Sequence, residues 1–128
     1  MINRNSVSTE KAPGAVGPYS QAIKSGGFVF ISGQLPIDMT TGEFADSIIE
    51  QTRCCLHNLE AIANEAGTSL KNAVKMTVFL TDMNDFAEMN SAYAGFFSDP
   101  PPARSTIAVV GLPKNSPIEM EAICALGE

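Results

Sequence analysis

One arginine in this chain stands apart by its neighbourhood. Arg104 follows Pro100-Pro101-Pro102, so a stiff segment delivers a guanidinium to the head of a predicted strand within Pro102-Ala103-Arg104-Ser105-Thr106. A guanidinium presents paired N–H donors that match carboxylate geometry, so the position suits a fork for a carboxylate ligand or a surface ion pair with a nearby acid; spacing leaves both open. Glu119 and Glu121 alternate with apolar residues in Ile118-Glu119-Met120-Glu121-Ala122 and so share one face of a predicted strand. They read either as a solvated strand edge or as a group that, near a buried arginine, holds a water or moves a proton. Tyr19 follows Gly17-Pro18 in a loop able to bend over a pocket, or simply packs. Ser32-Gly33 closes an apolar strand, where a hydroxyl and a bare backbone amide suit a ligand as well as a plain strand-to-turn transition.

Other chemistries find little material. His57 is the only histidine and falls inside a helical pattern, which fits a helix-surface residue better than a catalytic base. Cys54 and Cys55 are adjacent, Cys124 is distant, and no Cys-x-x-Cys spacing exists, so the usual zinc ligand sets cannot be assembled. No phosphate-binding glycine motif is present. Net charge is −6 with eight basic residues, too few and too scattered for a stripe that tracks nucleic-acid phosphates. The longest apolar runs are far shorter than the roughly 20 residues a membrane helix needs. The opening residues carry no apolar signal segment, and the odd cysteine count fits reduced thiols, so a cytoplasmic setting is expected.

The elements that must position these groups can be read from period and punctuation. With 128 residues and 45% apolar composition, the chain is expected to form a single domain over residues 1–128 with one packed core. Residues 1–8 suit a short edge strand, and Lys11 to Tyr19 a Pro- and Gly-rich loop. Ser25-Gly26-Gly27 divides Ala22 to Ser32 into a hairpin, and Asp38 to Gly42 marks a further turn before Glu43-Phe44. Asp46 to Ala66 is the clearest helix, with Ser47 and Glu50 at capping-box spacing and Gly67 placed to end it. Lys71 to Leu80 reads as a strand with Val74, Met76, Val78 and Leu80 on one face. Thr81-Asp82 caps a second helix, Asn84 to Phe97, whose apolar face is Phe86, Met89, Tyr93, Phe96 and Phe97. Strands Arg104 to Val110 and Ile118 to Leu126 follow, joined by a turn-rich Gly111 to Pro117. The expected architecture is α+β, a single mixed sheet with two helices on one face through two βαβ crossovers. The other face, with Phe28, Phe30, Val78 and the last strand, is too apolar to stay wet, which favours an oligomer that covers it.

Several segments together resemble the RidA family, also known as YjgF/YER057c/UK114. They are Lys11-Ala12-Pro13-Gly14-Ala15-Val16-Gly17-Pro18-Tyr19-Ser20-Gln21-Ala22, Ile31-Ser32-Gly33-Gln34-Leu35-Pro36, Lys75-Met76-Thr77-Val78-Phe79-Leu80, Asn84-Asp85-Phe86, Asn90-Ser91-Ala92-Tyr93, Pro102-Ala103-Arg104-Ser105 and Ile118-Glu119-Met120-Glu121-Ala122. They occur in order and span nearly the whole chain.

The resemblance implies a chorismate-mutase-like (ferredoxin-like) fold and a homotrimer with ligand clefts between subunits. It implies a 2-iminobutanoate/2-iminopropanoate deaminase, which hydrolyses reactive enamine/imine intermediates to 2-oxo acids and ammonia without metal or organic cofactor. Arg104 would bind the substrate carboxylate and Glu119 would activate the attacking water. Tyr19, Ser32, Gly33, Phe86 and Asn90 would line or order the cleft. Thr106 stands where the family often has cysteine, so a hydroxyl replaces a thiol. A glutamate beside the arginine would stay ionised readily. Two other classes stay open: a ribonuclease or translation inhibitor, which the acidic balance disfavours, and a non-enzymatic small-metabolite-binding regulatory protein using the same cleft.

Overall fold

Two consecutive glycines close the first hairpin. Gly26 and Gly27 both adopt positive φ, 62° and 86°, the backbone that a tight two-residue hairpin turn requires. In this computed structural model, which describes residues 2–127, they join β2 (Ala22–Ser25) to β3 (Phe28–Gln34). β1 (Asn5–Val7) pairs antiparallel on the outer edge of β2, a shorter strand than residues 1–8, of which Met1 lies outside the described residues. The turn after Pro36 forms its own ribbon, β4 (Ile37–Asp38) with β5 (Glu43–Phe44), so a two-stranded sheet accompanies the main one.

The first helix, α1 (Ile48–Glu65), starts where Ser47 accepts a hydrogen bond from the Glu50 amide at 3.2 Å. Only that half of the capping box forms, because the Glu50 carboxylate pairs with Arg53 instead. Gly67 ends the helix at φ 93°. One stripe of α1, containing Cys55, Leu56, Leu59, Ile62 and Ala63, is completely buried. From the same helix the buried Asn58 side-chain amide donates to the carbonyls of Leu35 and Ile37, tying the ribbon's approach to α1.

β6 (Ala73–Leu80), α2 (Phe86–Ala94), β7 (Ala103–Ala108) and β8 (Ile118–Ala125) complete the fold. The main sheet runs β1-β2-β3-β8-β6-β7. β8 is antiparallel to both β3 and β6, so those two run parallel with β8 between them, and α1 makes the crossover. β6 and β7 are adjacent and parallel, joined through α2. The architecture is therefore the α+β mixed sheet expected from the sequence. Its core lies between sheet and helices: Val29, Ile31, Met76, Val78, Leu80, Ile118, Met120, Ala122 and Cys124 from the strands meet the α1 stripe and Met89 of α2. Each large apolar side chain fully buried there stabilises the fold by about 1.5–3 kcal/mol.

Several expectations need correction. Val74 is exposed, because the pairing of β6 with β8 slips by one residue between Ala73 and Lys75. That bulge turns Val74 away from the face of Met76, Val78 and Leu80. Val78 is fully buried under the helices and is not part of the open face. α2 stops at Ala94, before Gly95, and Phe96 and Phe97 pack against the core from beyond its end. Asp82 caps a short 3-10 turn, Met83–Asp85, that leads into it. Ser32 and Gly33 do not end β3; they occupy a second bulge, between Ile31 and Gln34. The sheet face away from the helices carries Phe28, Phe30 and Ile107 exposed, with Lys75 donating to Ser105 among them.

Candidate functional site

Arg104 is the second residue of β7, the rim strand, and pairs with Met76 of β6. Met76 is buried against the helices, so Arg104 points to the helix side of the sheet and meets α2. On α2, Phe86, Asn90 and Tyr93 fall four and three residues apart and share one face. The guanidinium is held by all three. An Arg104 N–H donates to the Asn90 side-chain oxygen at 2.7 Å. Its Cζ lies 4.7 Å from the Tyr93 ring centroid and 5.7 Å from that of Phe86. Each cation–π contact contributes about 0.5–2 kcal/mol and orients the planar group without consuming most of its donors. Burial pushes the Tyr93 hydroxyl up to about 12, with Arg104 pulling the other way, so it stays protonated at neutral pH. Thr106, two residues on, lies on the same face of β7 opposite Val78. The Thr106 and Tyr93 hydroxyls are both buried without a hydrogen-bond partner among the described residues. Arg104 also borders a cleft of about 430 Å³ walled by Tyr93, Phe97, Pro101 and Pro102.

Glu119 stands elsewhere. It pairs with Phe79 of β6, an odd number of residues from Met76, and so projects from the opposite face of the sheet. Arg104 and Glu119 of one chain are therefore not neighbours, and the expectation that the arginine keeps this glutamate ionised does not hold within a chain. Burial instead pushes the Glu119 carboxyl above the ordinary glutamate value, and Glu121 adds to the shift.

Around Glu119 a second cleft of about 450 Å³ gathers Tyr19, Ser32, Gly33, Leu35 and Lys114. Its roof is the Pro- and Gly-rich loop. The buried Gln21 side chain fastens that loop by hydrogen bonds with Thr9 and with the Pro13 carbonyl. The Ser32 hydroxyl donates to the Ser20 carbonyl at 2.6 Å, so it anchors the segment carrying Tyr19 and keeps only lone pairs for a ligand. Tyr19 is 52% exposed and its ring is open to the cleft. Gly33 is required by close approach: a Cβ there would fall on the Glu119 carboxylate, 2.7 Å from its Cδ.

Gly33→Ala is thus expected to fold, since the flexible end of Glu119 can swing aside. It should lose more than about tenfold in any activity that needs the Glu119 carboxylate in place. Thermal melting beside turnover separates the two effects.

The eight expected site residues accordingly form two groups. Phe86, Asn90, Arg104 and Thr106 lie on the helix side at the sheet rim. Tyr19, Ser32, Gly33 and Glu119 lie at the loop-roofed cleft. Sequence reasoning missed Tyr93 as a platform for Arg104; its helical spacing from Asn90 was the available signal. It also missed Lys114 in the Glu119 cleft, for which the sequence carries none.

Comparison with known proteins gives the chain relatives. Residues 9–126 match the family model described as endoribonuclease L-PSP. The RutC family protein y4sK of Sinorhizobium fredii is 57% identical over 121 residues, covering 94% of this chain and 96% of that protein. Reactive Intermediate Deaminase A, chloroplastic, of Arabidopsis thaliana is 45% identical over 126 residues, covering 98% of this chain and 67% of that protein. The crystal structure of E. coli TdcF with bound serine superposes with a TM-score of 0.90 at 41% identity, covering 96% of this chain and 99% of that one.

Proposed function

The chain belongs to the RidA (YjgF) family, the family of the endoribonuclease L-PSP model and of proteins named reactive intermediate deaminases, and from that premise we propose that it hydrolyses short 2-imino acids, 2-iminobutanoate and 2-iminopropanoate, to 2-oxo acids and ammonia. The observation that carries the reading is the Arg104 guanidinium, stacked on Tyr93 and Phe86 and fastened by Asn90, with donors left to fork a carboxylate.

Since Glu119 projects from the other face, the reading requires two copies, one supplying Arg104 and the next supplying Glu119. A homotrimer with clefts between subunits meets that requirement, and the exposed Phe28, Phe30 and Ile107 supply apolar surface for its contacts. The carboxylate clamp fixes the imine carbon in front of the glutamate. Glu119, ionised, takes a proton from a held water as its oxygen adds to the carbon of the protonated imine. The proton returns to the nitrogen of the resulting carbinolamine; Glu119, ionised again, takes the hydroxyl proton as the C–N bond breaks and the carbonyl forms, and that proton leaves with the ammonia as ammonium. The substrate is already electrophilic, so no metal or organic cofactor enters the scheme. The acidic chain and its single stacked arginine support this reading over nucleic-acid cleavage.

The test is to generate the imine with an amino-acid oxidase or a threonine dehydratase and trap it with semicarbazide. Added protein should lower the trapped fraction. Unchanged trapping across the series of short imines would overturn the reading.

The Glu119 shift gives a pH signature. The base must be ionised, so kcat/KM is expected to fall as pH drops, with a midpoint above the ordinary glutamate value. Glu119→Gln should flatten that limb and lower kcat more than it weakens binding of a 2-oxo acid. A raised carboxyl also contributes stability at low pH that is lost as pH rises through its folded value. Glu119→Gln should therefore melt no lower than the parent at neutral pH.

A further inference from the structure

Lys114 occupies an unusual backbone position. It follows Pro113 in a short 3-10 turn, and both Lys114 and Asn115 are in the left-handed region, at φ 57° and 55°. Asparagine adopts that region readily, but a lysine there is strained backbone, and strain of this kind collects at functional sites. The turn is clamped from behind. Ser116 is buried, its amide donates to the Pro113 carbonyl at 3.1 Å and its hydroxyl to the Ile118 carbonyl at 2.7 Å. Two residues, Ser116 and Pro117, lead from the turn into β8 and Glu119.

The clamp places Lys114 on the wall of the Glu119 cleft. Of the described residues lining that cleft, Lys114 is the only cation and Glu119 the only anion; the others are apolar or neutral, among them Pro13, Val16, Leu35 and Ile37. Lys114 forms no ion pair or side-chain hydrogen bond among the described residues. At about 450 Å³ the cleft is within the range that takes small-molecule ligands and exceeds what a three- or four-carbon acid fills.

We propose that Lys114 is a specificity determinant that recognises a second anionic group, so that the cleft accepts 2-imino and 2-oxo acids with a distal carboxylate on the side chain. The inference rests on the reading above in that the first carboxylate goes to Arg104 of a neighbouring copy. A cation on the cleft wall favours a terminal carboxylate over a terminal methyl of equal length. Because Lys114 is exposed, the gain is modest and screened by salt.

A matched pair of five-carbon acids isolates that charge: 2-oxoglutarate and 2-oxopentanoate, with binding followed by calorimetry on the full chain. The parent should bind 2-oxoglutarate the more tightly. Lys114→Met should reduce this preference about fivefold, Lys114→Arg should retain it, and raising the ionic strength should shrink it in the parent. A parent without preference, a preference unchanged in Lys114→Met, or no binding of either acid overturns the proposal. Imine hydrolysis, measured beside it on imines made in situ from glutamate and norvaline, keeps the two readings separable. Lys114-dependent preference without hydrolysis of any imine supports the ligand class and sinks the deaminase. Hydrolysis without that preference does the reverse.

Discussion

Arg104→Ala is expected to abolish imine hydrolysis for practical purposes, with kcat/KM down by at least about a hundredfold, as loss of a charged clamp worth about 3 kcal/mol implies. The size follows from how the guanidinium is held. Asn90 fixes one N–H, and the Tyr93 and Phe86 rings lie within cation–π range of its Cζ. Those contacts leave a preoriented fork, so its removal costs both attraction and orientation. Arg104→Lys should recover little, because an ammonium offers no planar fork that can meet a carboxylate bidentately while bonded to Asn90. The fold should survive either change, since Arg104 is only half-buried and lies on the rim strand. Imine trapping with circular dichroism on the same samples checks both halves; a folded Arg104→Ala variant with parental activity would remove the mechanism.

The second large effect concerns pairs of inactive proteins. Arg104→Ala and Glu119→Gln each damage a different face of the sheet. If a site takes its arginine from one copy and its glutamate from the next, randomly mixed oligomers of the two variants regain intact sites. A given site is intact when the first copy carries Glu119→Gln and the second carries Arg104→Ala. With equal amounts of each, that occurs at about a quarter of sites, so about a quarter of parental activity should return on co-refolding. The double variant mixed with the parent provides the control for exchange. No recovery from mixed oligomers, with exchange demonstrated, would place both groups in one chain and contradict the opposed faces of Arg104 and Glu119.

How much of this was legible in the sequence depended on whether a signal was local. Gly26-Gly27, the Ser47 cap with Gly67, and the alternation of β8 are short-range patterns, and each produced the element it predicts. Period-two reading failed at Val74 because an inserted residue at a bulge reverses the facing of everything before it, and no residue type announces that insertion. It failed at the end of α2 because Phe96 and Phe97 continue an apolar period that Gly95 has already ended. Among the candidate site residues, Arg104, Glu119, Tyr19, Ser32 and Gly33 could be singled out from their neighbourhoods with other readings open, and Phe86, Asn90 and Thr106 entered only through family resemblance. Their division into two groups was not legible at all. Whether residues on two strands share a face depends on the register between them, and that register is set by the whole sheet. Lys114 was hidden for a related reason: a turn-rich link gave no hint of its positive φ or of which cleft it faces.

If each site takes its arginine from one copy and its glutamate from the next, as proposed above, the opposed placement of Arg104 and Glu119 also shapes how such a gene can diverge. After a duplication, one copy can lose its glutamate and the other its arginine while the pair still forms complete sites together. Neither loss alone is then exposed to selection as long as both copies are expressed. Each chain would become dependent on the other, and a self-sufficient protein would turn into two obligate partners through two single substitutions. A site contained within one chain offers no such route.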